Sequence, residues 1–252
     1  MPPEVRVIGV EGMPEIQPGD DLGSLMMDAA QRQGTPIESG DVVVVTQKIV
    51  SKAEGRVMSV EGVEPSALAL TITEGHRRDP RHTELILRES RRIVRMDRGV
   101  IISETHHGFI CANAGIDASN IPGSDTVCLL PVEPDASARG IRDAIKARLG
   151  FEVAVVVSDT FGRPWRNGAA NVAIGIAGFD PMLSYVGHED SHGNMMYTTV
   201  IAVADELAAA AELVTGKVDG VPVSIIKGYR YEPMEDASLE ALIRPPDKDL
   251  FR

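Results

Sequence analysis

The chain has 252 residues, 43% of them hydrophobic, enough to bury a sizeable core in one large domain or two small interleaved ones. A formal charge of -12 excludes nonspecific attraction to nucleic acid or to an anionic membrane, and an anionic small substrate would need a locally basic pocket. Cys111 and Cys128 form one possible pair in a long chain, which fits two core thiols in a reducing cytoplasm better than a disulfide framework.

No basic segment followed by an apolar signal region precedes the first strand-like run. Residues 5–10 and 41–46 read as strands, separated by a helix over 22–33 that stops near Gly34 and Pro36. A second helix is expected over 82–89, then β-rich sequence at 92–95, 100–104 and 108–113. Pro134 and Asp135 introduce a helix to about Leu149, Gly150 closes it, and 151–157 is an almost wholly apolar, buried strand. Residues 159–171 are polar and rich in Gly and Arg, which predicts a loop leaving that strand. The window 198–215 is the most apolar long stretch. It contains Asp205, Glu206 and Glu212, costly at a bilayer centre, so it reads as a soluble helix stopping at Gly216. A last strand follows at 221–227, and the acidic, Pro-containing tail after Tyr231 reads as a poorly packed extension or linker. The alternation of helices and strands, with no internal repeat, predicts a mixed α/β (α+β) fold.

His188-Glu-Asp-Ser-His192 satisfies the zinc-peptidase pattern, but that chemistry needs a stable helix to bring both imidazoles to one face. Gly187, Asp190, Ser191, Gly193 and Asn194 make the stretch a turn instead. No P-loop or Rossmann glycine pattern occurs, so a nucleotide has to be held another way. Lys52, Arg163, Arg166 and Lys217 each follow a strand or helix end, where a long cation can meet phosphate or carboxylate; a solvated surface cation is the alternative for any one of them. Asn113, Asp117 and Asn120 stand in a small-residue loop whose oxygens suit a hard divalent cation, or equally an Asx turn. Asp159 is less ambiguous. At the end of an apolar strand its carboxylate calls for a cation, and Thr160 beside it offers a hydroxyl.

Four segments in order carry a resemblance: Gly40-Asp-Val-Val-Val-Val-Thr-Gln-Lys-Ile-Val-Ser-Lys-Ala-Glu-Gly-Arg56, Asn113-Ala-Gly-Ile-Asp-Ala-Ser-Asn120, Ser158-Asp-Thr-Phe-Gly-Arg163, and Ala202-Val-Ala-Asp-Glu-Leu-Ala208 with Gly216-Lys217 after it. Together they resemble the coenzyme F420-0:L-glutamate ligase family, over residues 5 to about 230. The resemblance implies a ligase domain over 1–231 with 232–252 as tail, mixed sheets, and an intertwined homodimer in the cytoplasm. It implies GTP as substrate beside F420-0 and L-glutamate, two Mg2+ or Mn2+ ions and K+, with no nucleic acid or membrane partner. Met13, Pro14, Glu15, Ile16, Gln47, Lys48, Lys52, Asn120 and the turn Thr215, Gly216, Lys217, Val218, Asp219, Gly220 and Val221 would contact GTP. Asp117 and Asp159 would bind the first ion and Thr160 the second, with Lys217 standing where a further ligand is expected. Lys52, Arg163 and Arg166 would offset charge during transfer. From the residues alone, a metal-dependent phosphohydrolase and a non-catalytic nucleotide-binding module stay open as alternatives.

Overall fold

The computed structural model describes residues 2–75, 78–119 and 125–250. In chain order the elements are β1 (Arg6–Val10), α1 (Leu22–Gln33), β2 (Val42–Thr46), α2 (Gln47–Ala53), β3 (Val57–Ser59), α3 (Ala67–Thr73), α4 (Pro80–Arg88), β4 (Ser90–Asp97), β5 (Val100–Thr105) and β6 (Ile110–Ala112). They continue as β7 (Thr126–Cys128), α5 (Pro134–Leu149), β8 (Ala154–Gly162), β9 (Ala169–Phe179), β10 (Leu183–Ser184), β11 (Val200–Ile201), α6 (Val203–Thr215), β12 (Val223–Lys227) and β13 (Pro233–Met234). The fold is mixed α/β, as expected.

A six-stranded sheet in the order β1-β12-β2-β8-β9-β13 forms the centre, with β3-β7, β4-β5-β6 and β10-β11 as smaller sheets. In β2 four successive valines, Val42 to Val45, are buried. Alternate side chains point to opposite faces, so both faces of the sheet are covered there. Helices α5 and α6 both lie against β8 and β9, and α1 packs on α5. Local chemistry starts and stops these helices. The Asp21 carboxylate accepts from the Ser24 N–H at 3.1 Å to cap α1, Pro134 occupies the first turn of α5, and Gly34 and Gly150 close α1 and α5 as predicted.

Among the paired strands, β2 and β8 run parallel, with Thr46 opposite Ser158 as the last pair. Both chains leave this pair on the same side. β2 turns directly into α2, a helix the strand-rich reading of 41–46 did not anticipate, and β8 runs on past Asp159.

Several expectations are corrected. Residues 159–171 are not a loop: β8 extends to Gly162 and pairs with β9 from Ala169, so Asp159 and Thr160 sit inside an antiparallel ribbon whose turn spans 163–168. Polar composition misled because the ribbon's outer end is solvated, and solvated strands tolerate polar residues. The apolar window at 198–215 is helical only from Val203, its first residues leading into β11. The stretch after Tyr231 is docked, not loose. β13 pairs with β9, Ala237 and Leu239 are buried, and the Glu235 carboxylate accepts two hydrogen bonds from the buried Arg142. Asp135 at the start of α5 accepts from the Leu239 N–H at 3.0 Å and from Ser238 Oγ at 3.1 Å. The His188–His192 stretch is a turn: the Asp190 carboxylate accepts the N–H groups of His192 and Asn194. Both cysteines are buried and free. No helix among the described residues is long and apolar enough to cross a membrane.

Candidate active site

A cleft of about 820 Å³ opens off the C-terminal ends of β2 and β8. The ends of parallel strands commonly bind ligands, because backbone groups and loops converge there without covering one another. Five segments line it: residues 13–16 ahead of α1, the first turns of α2, the turn before Asp117, the β8–β9 ribbon, and the turn after α6.

Most of the predicted residues meet here. Met13, Pro14, Glu15, Ile16, Gln47, Lys48, Lys52, Asp117, Asp159, Thr160, Thr215, Gly216, Lys217, Val218, Gly220 and Val221 all line the cleft. Asp219 does not, and Asn120 lies outside the described residues. Arg163 and Arg166 are not brought in either. They occupy the ribbon turn, where the Arg163 guanidinium donates to the carbonyls of Gly168 at 3.2 Å and Asn167 at 2.5 Å.

Asp117 is set by a local distortion. Asn113, Ala114 and Gly115 all have positive φ, at 55°, 55° and 71°, a left-handed turn that is costly at the two residues bearing side chains. Gly115 admits no side chain, since a Cβ there would meet Leu130 at 2.8 Å. Arg78 steadies the turn by donating to Asn113 Oδ1 at 2.8 Å. Beyond it Asp117 forms a two-hydrogen-bond bridge with Cys128, which holds its backbone while its carboxylate reaches the cleft.

Asp159 is placed by a bulge. The β8–β9 register slips between Val157 and Ser158, and Ala173 N–H, freed from the ladder, donates to Asp205 of α6 at 2.9 Å. Bulges re-aim side chains next to sites, and here Asp159 and Thr160 follow it immediately.

The charges are interleaved. Lys48 Nζ donates to Asp117 at 2.6 Å and to the Ser119 carbonyl at 2.8 Å, and Lys52 pairs with Glu15 at 2.6 Å. Lys217 donates to Thr160 Oγ1 and lies 3.4 Å from Glu212. Three lysines in one cleft give an acidic chain cations that an anionic substrate could take from their carboxylate partners. Gln47, by contrast, is buried and accepts from Ser51 Oγ at 2.9 Å within its own helix.

The two carboxylates differ. Burial pushes Asp117 up, but hydrogen bonds from Lys48 and Ser119 outweigh it and hold the group below its ordinary value. For Asp159 burial dominates, the Asp117 charge adds to it, and the carboxyl is pushed up to about 7 despite the Thr160 N–H and the nearby lysines. Cys111 is pushed up to about 12 by burial and by Asp159, so it is an inert wall of the cleft. An under-compensated carboxylate beside a second carboxylate and a hydroxyl is an all-oxygen donor set that fits a hard divalent cation. No cluster of three His, Cys, Asp or Glu side chains able to hold a metal occurs among the described residues, so an ion on the two carboxylates would take its other oxygens from phosphate and water.

Sequence reasoning missed Asn171, Ser119, Ser158 and Glu212. Asn171 stands directly across the ribbon from Thr160, a relation visible only once the register is known.

Comparison with known proteins gives the family. The pattern of the family described as F420-0:Gamma-glutamyl ligase matches residues 12–228. A protein of Methanothermobacter thermautotrophicus named coenzyme F420:L-glutamate ligase is 46% identical over 250 residues, covering 98% of this chain and 99% of its own length. Proteins of the same name from Methanopyrus kandleri and Methanocaldococcus jannaschii are 41% and 39% identical, each covering 99% of this chain and 98% and 97% of their own lengths. With its cleft assembled from the matched segments, the chain belongs to the F420-0:gamma-glutamyl ligase family.

Proposed function

We propose that this protein joins L-glutamate to coenzyme F420-0 at the expense of GTP, in the cytoplasm. The observation that carries the reading is the meeting of Asp117, Asp159, Thr160 and three lysines in one cleft, in a chain whose relatives bear the ligase name.

In the proposed reaction a carboxylate oxygen of the F420-0 lactyl group attacks the γ-phosphorus of GTP. The bond from that phosphorus to the β–γ bridging oxygen breaks and GDP leaves. The glutamate ammonium loses a proton to solvent and the amine attacks the acyl carbon; the C–O bond to phosphate breaks, the nitrogen gives its next proton to the departing phosphate, and an amide and inorganic phosphate result. Phosphorylation is needed because a free carboxylate would have to expel oxide. Mg2+ or Mn2+ held by Asp117 and Asp159, with Thr160 toward a second ion, would supply charge neutralisation at the phosphates. Lys52, on the wall next to residues 13–16, neutralises the triphosphate, and Lys48 exchanges its Asp117 partner for phosphate. The turn 215–221, which lines the cleft except at Asp219, would border the nucleotide. Arg163 and Arg166, out on the ribbon turn, are not among the described residues that line the cleft. K+ and the choice of GTP rest on the family resemblance.

A homodimer belongs to the same reading. The segment from Tyr185 through β11 exposes Tyr185, Val186, Met195, Tyr197 and Val200, apolar side chains that a second copy would cover.

The test is product formation. The protein is incubated with GTP, Mn2+ or Mg2+, glutamate and the deazaflavin acceptor, and a glutamate-sized mass increase is expected. GTP hydrolysis independent of acceptor would make it a phosphohydrolase, and saturable binding without turnover a nucleotide-binding module.

A further inference from the structure

Thr160 faces Asn171 across the ribbon, and its Oγ1 lies 2.6 Å from Asn171 Oδ1. Asn171 is 4% exposed, and its Nδ2 lies 2.8 Å from Glu212 Oε2 on α6. The same Glu212 oxygen accepts from Thr215 Oγ1 at 3.2 Å, while Oε1 faces the Lys217 ammonium at 3.4 Å. Three donors therefore converge on one carboxylate.

A carboxylate that receives three donors can only accept, which forces Asn171 to turn its NH2 toward it. Asn171 Oδ1 then faces the ribbon partner and needs a donor, and the Thr160 hydroxyl has to supply its single proton there. Thr160 is left with lone pairs alone for its other neighbours. Lys217, a cation, already takes one of them.

We propose that Glu212 and Asn171 are positioning residues that fix the Thr160 hydroxyl as an acceptor toward the cleft, so that it receives a cation there and cannot donate a proton to a phosphate oxygen. The inference rests on the metal-dependent reading above and adds to it Asn171, which touches Thr160, and Glu212, which acts on Thr160 through Asn171. Partners that orient a ligating group change metal affinity by about tenfold or more when lost.

The experiment is a double-mutant cycle read by manganese(II) binding, followed as loss of the free-ion electron paramagnetic resonance signal, on the full chain with GDP present. Glu212→Gln, whose amide can turn either way, is expected to weaken manganese binding about tenfold or more. Thr160→Val should weaken it similarly, and the double variant no further. Glu212→Gln binding manganese like the parent, or effects that add in the double variant, would overturn the relay. If Glu212→Gln does not fold, Asn171→Ser breaks the same chain and enters the same cycle. No manganese binding by the parent would overturn the metal reading and the relay together. A parent that binds manganese through this cycle but yields no glutamylated product overturns the ligase reading alone.

Discussion

Replacing Asp159 by asparagine should stabilise the metal-free protein while removing its use of metal. The carboxyl has an ordinary value of 3.8 and is pushed up to about 7 in the fold, chiefly by burial. At 1.36 kcal/mol per pH unit the gap corresponds to about 4 kcal/mol, an upper bound once local water and side-chain relaxation are allowed for; about 2–4 kcal/mol is expected. The sign follows from linkage. Between pH 4 and 7 the folded state binds more protons at this site than the unfolded chain, so stability falls as pH rises through that window and the whole cost is present above about pH 7. Asp159→Asn lacks the cost, so at pH 8 it should be the more stable protein, and the advantage should vanish as pH falls toward 4. Urea unfolding of both proteins at pH 5 and pH 8, without metal, measures the difference. With GDP held constant, added Mn2+ should then stabilise the parent and leave the variant unchanged. A variant no more stable than the parent at pH 8, or a difference that does not depend on pH, would refute the argument that burial of an uncompensated charge governs this position.

Lys52→Ala should raise the KM for GTP about tenfold with little change in fold, since it removes a cleft cation paired with a largely exposed Glu15; steady-state kinetics at varied GTP decide it. Gly216, at φ 56° and ψ -168°, occupies a region open essentially to glycine, and a Cβ there would press on Asp219. Gly216→Ala is therefore expected to cost about 1–3 kcal/mol and to weaken nucleotide binding, read by thermal shift with and without GDP. Deleting residues 233–252 should destabilise by about 3–5 kcal/mol, because it exposes the pockets of Ala237 and Leu239 and strips Glu235 from the buried Arg142 guanidinium; a loose linker would cost nothing. Glu84 is held down to about 2, below its ordinary 4.5, by hydrogen bonds from Ser66 and Arg88. Its stabilisation is thus complete above about pH 4.5 and lost as pH falls through about 2. In Glu84→Gln the acid unfolding limb should lose that dependence, as followed by circular dichroism.

Much was legible in the sequence because it is local. The closing glycines of α1 and α5, the buried runs of β2 and β8, and the turn nature of His188–His192 depend on neighbours within a few residues. So does the prominence of Asp159, a carboxylate directly after an apolar run, whose cost of burial can be judged without knowing what lies opposite. Asp117 was an even choice from spacing, and the family resemblance, not the residues, joined it to Asp159. What only the tertiary structure decided is which distant groups face one another. The register of β8 on β9 turned a presumed loop into a ribbon and set Asn171 against Thr160, while packing of α6 brought Glu212 to Asn171 and the turn after α6 brought Lys217 to the Thr160 hydroxyl. It also left Arg163 and Arg166 on the ribbon turn and docked the tail on Arg142. Register and packing are sums over contacts far apart in the chain, and composition and local spacing carry no record of them.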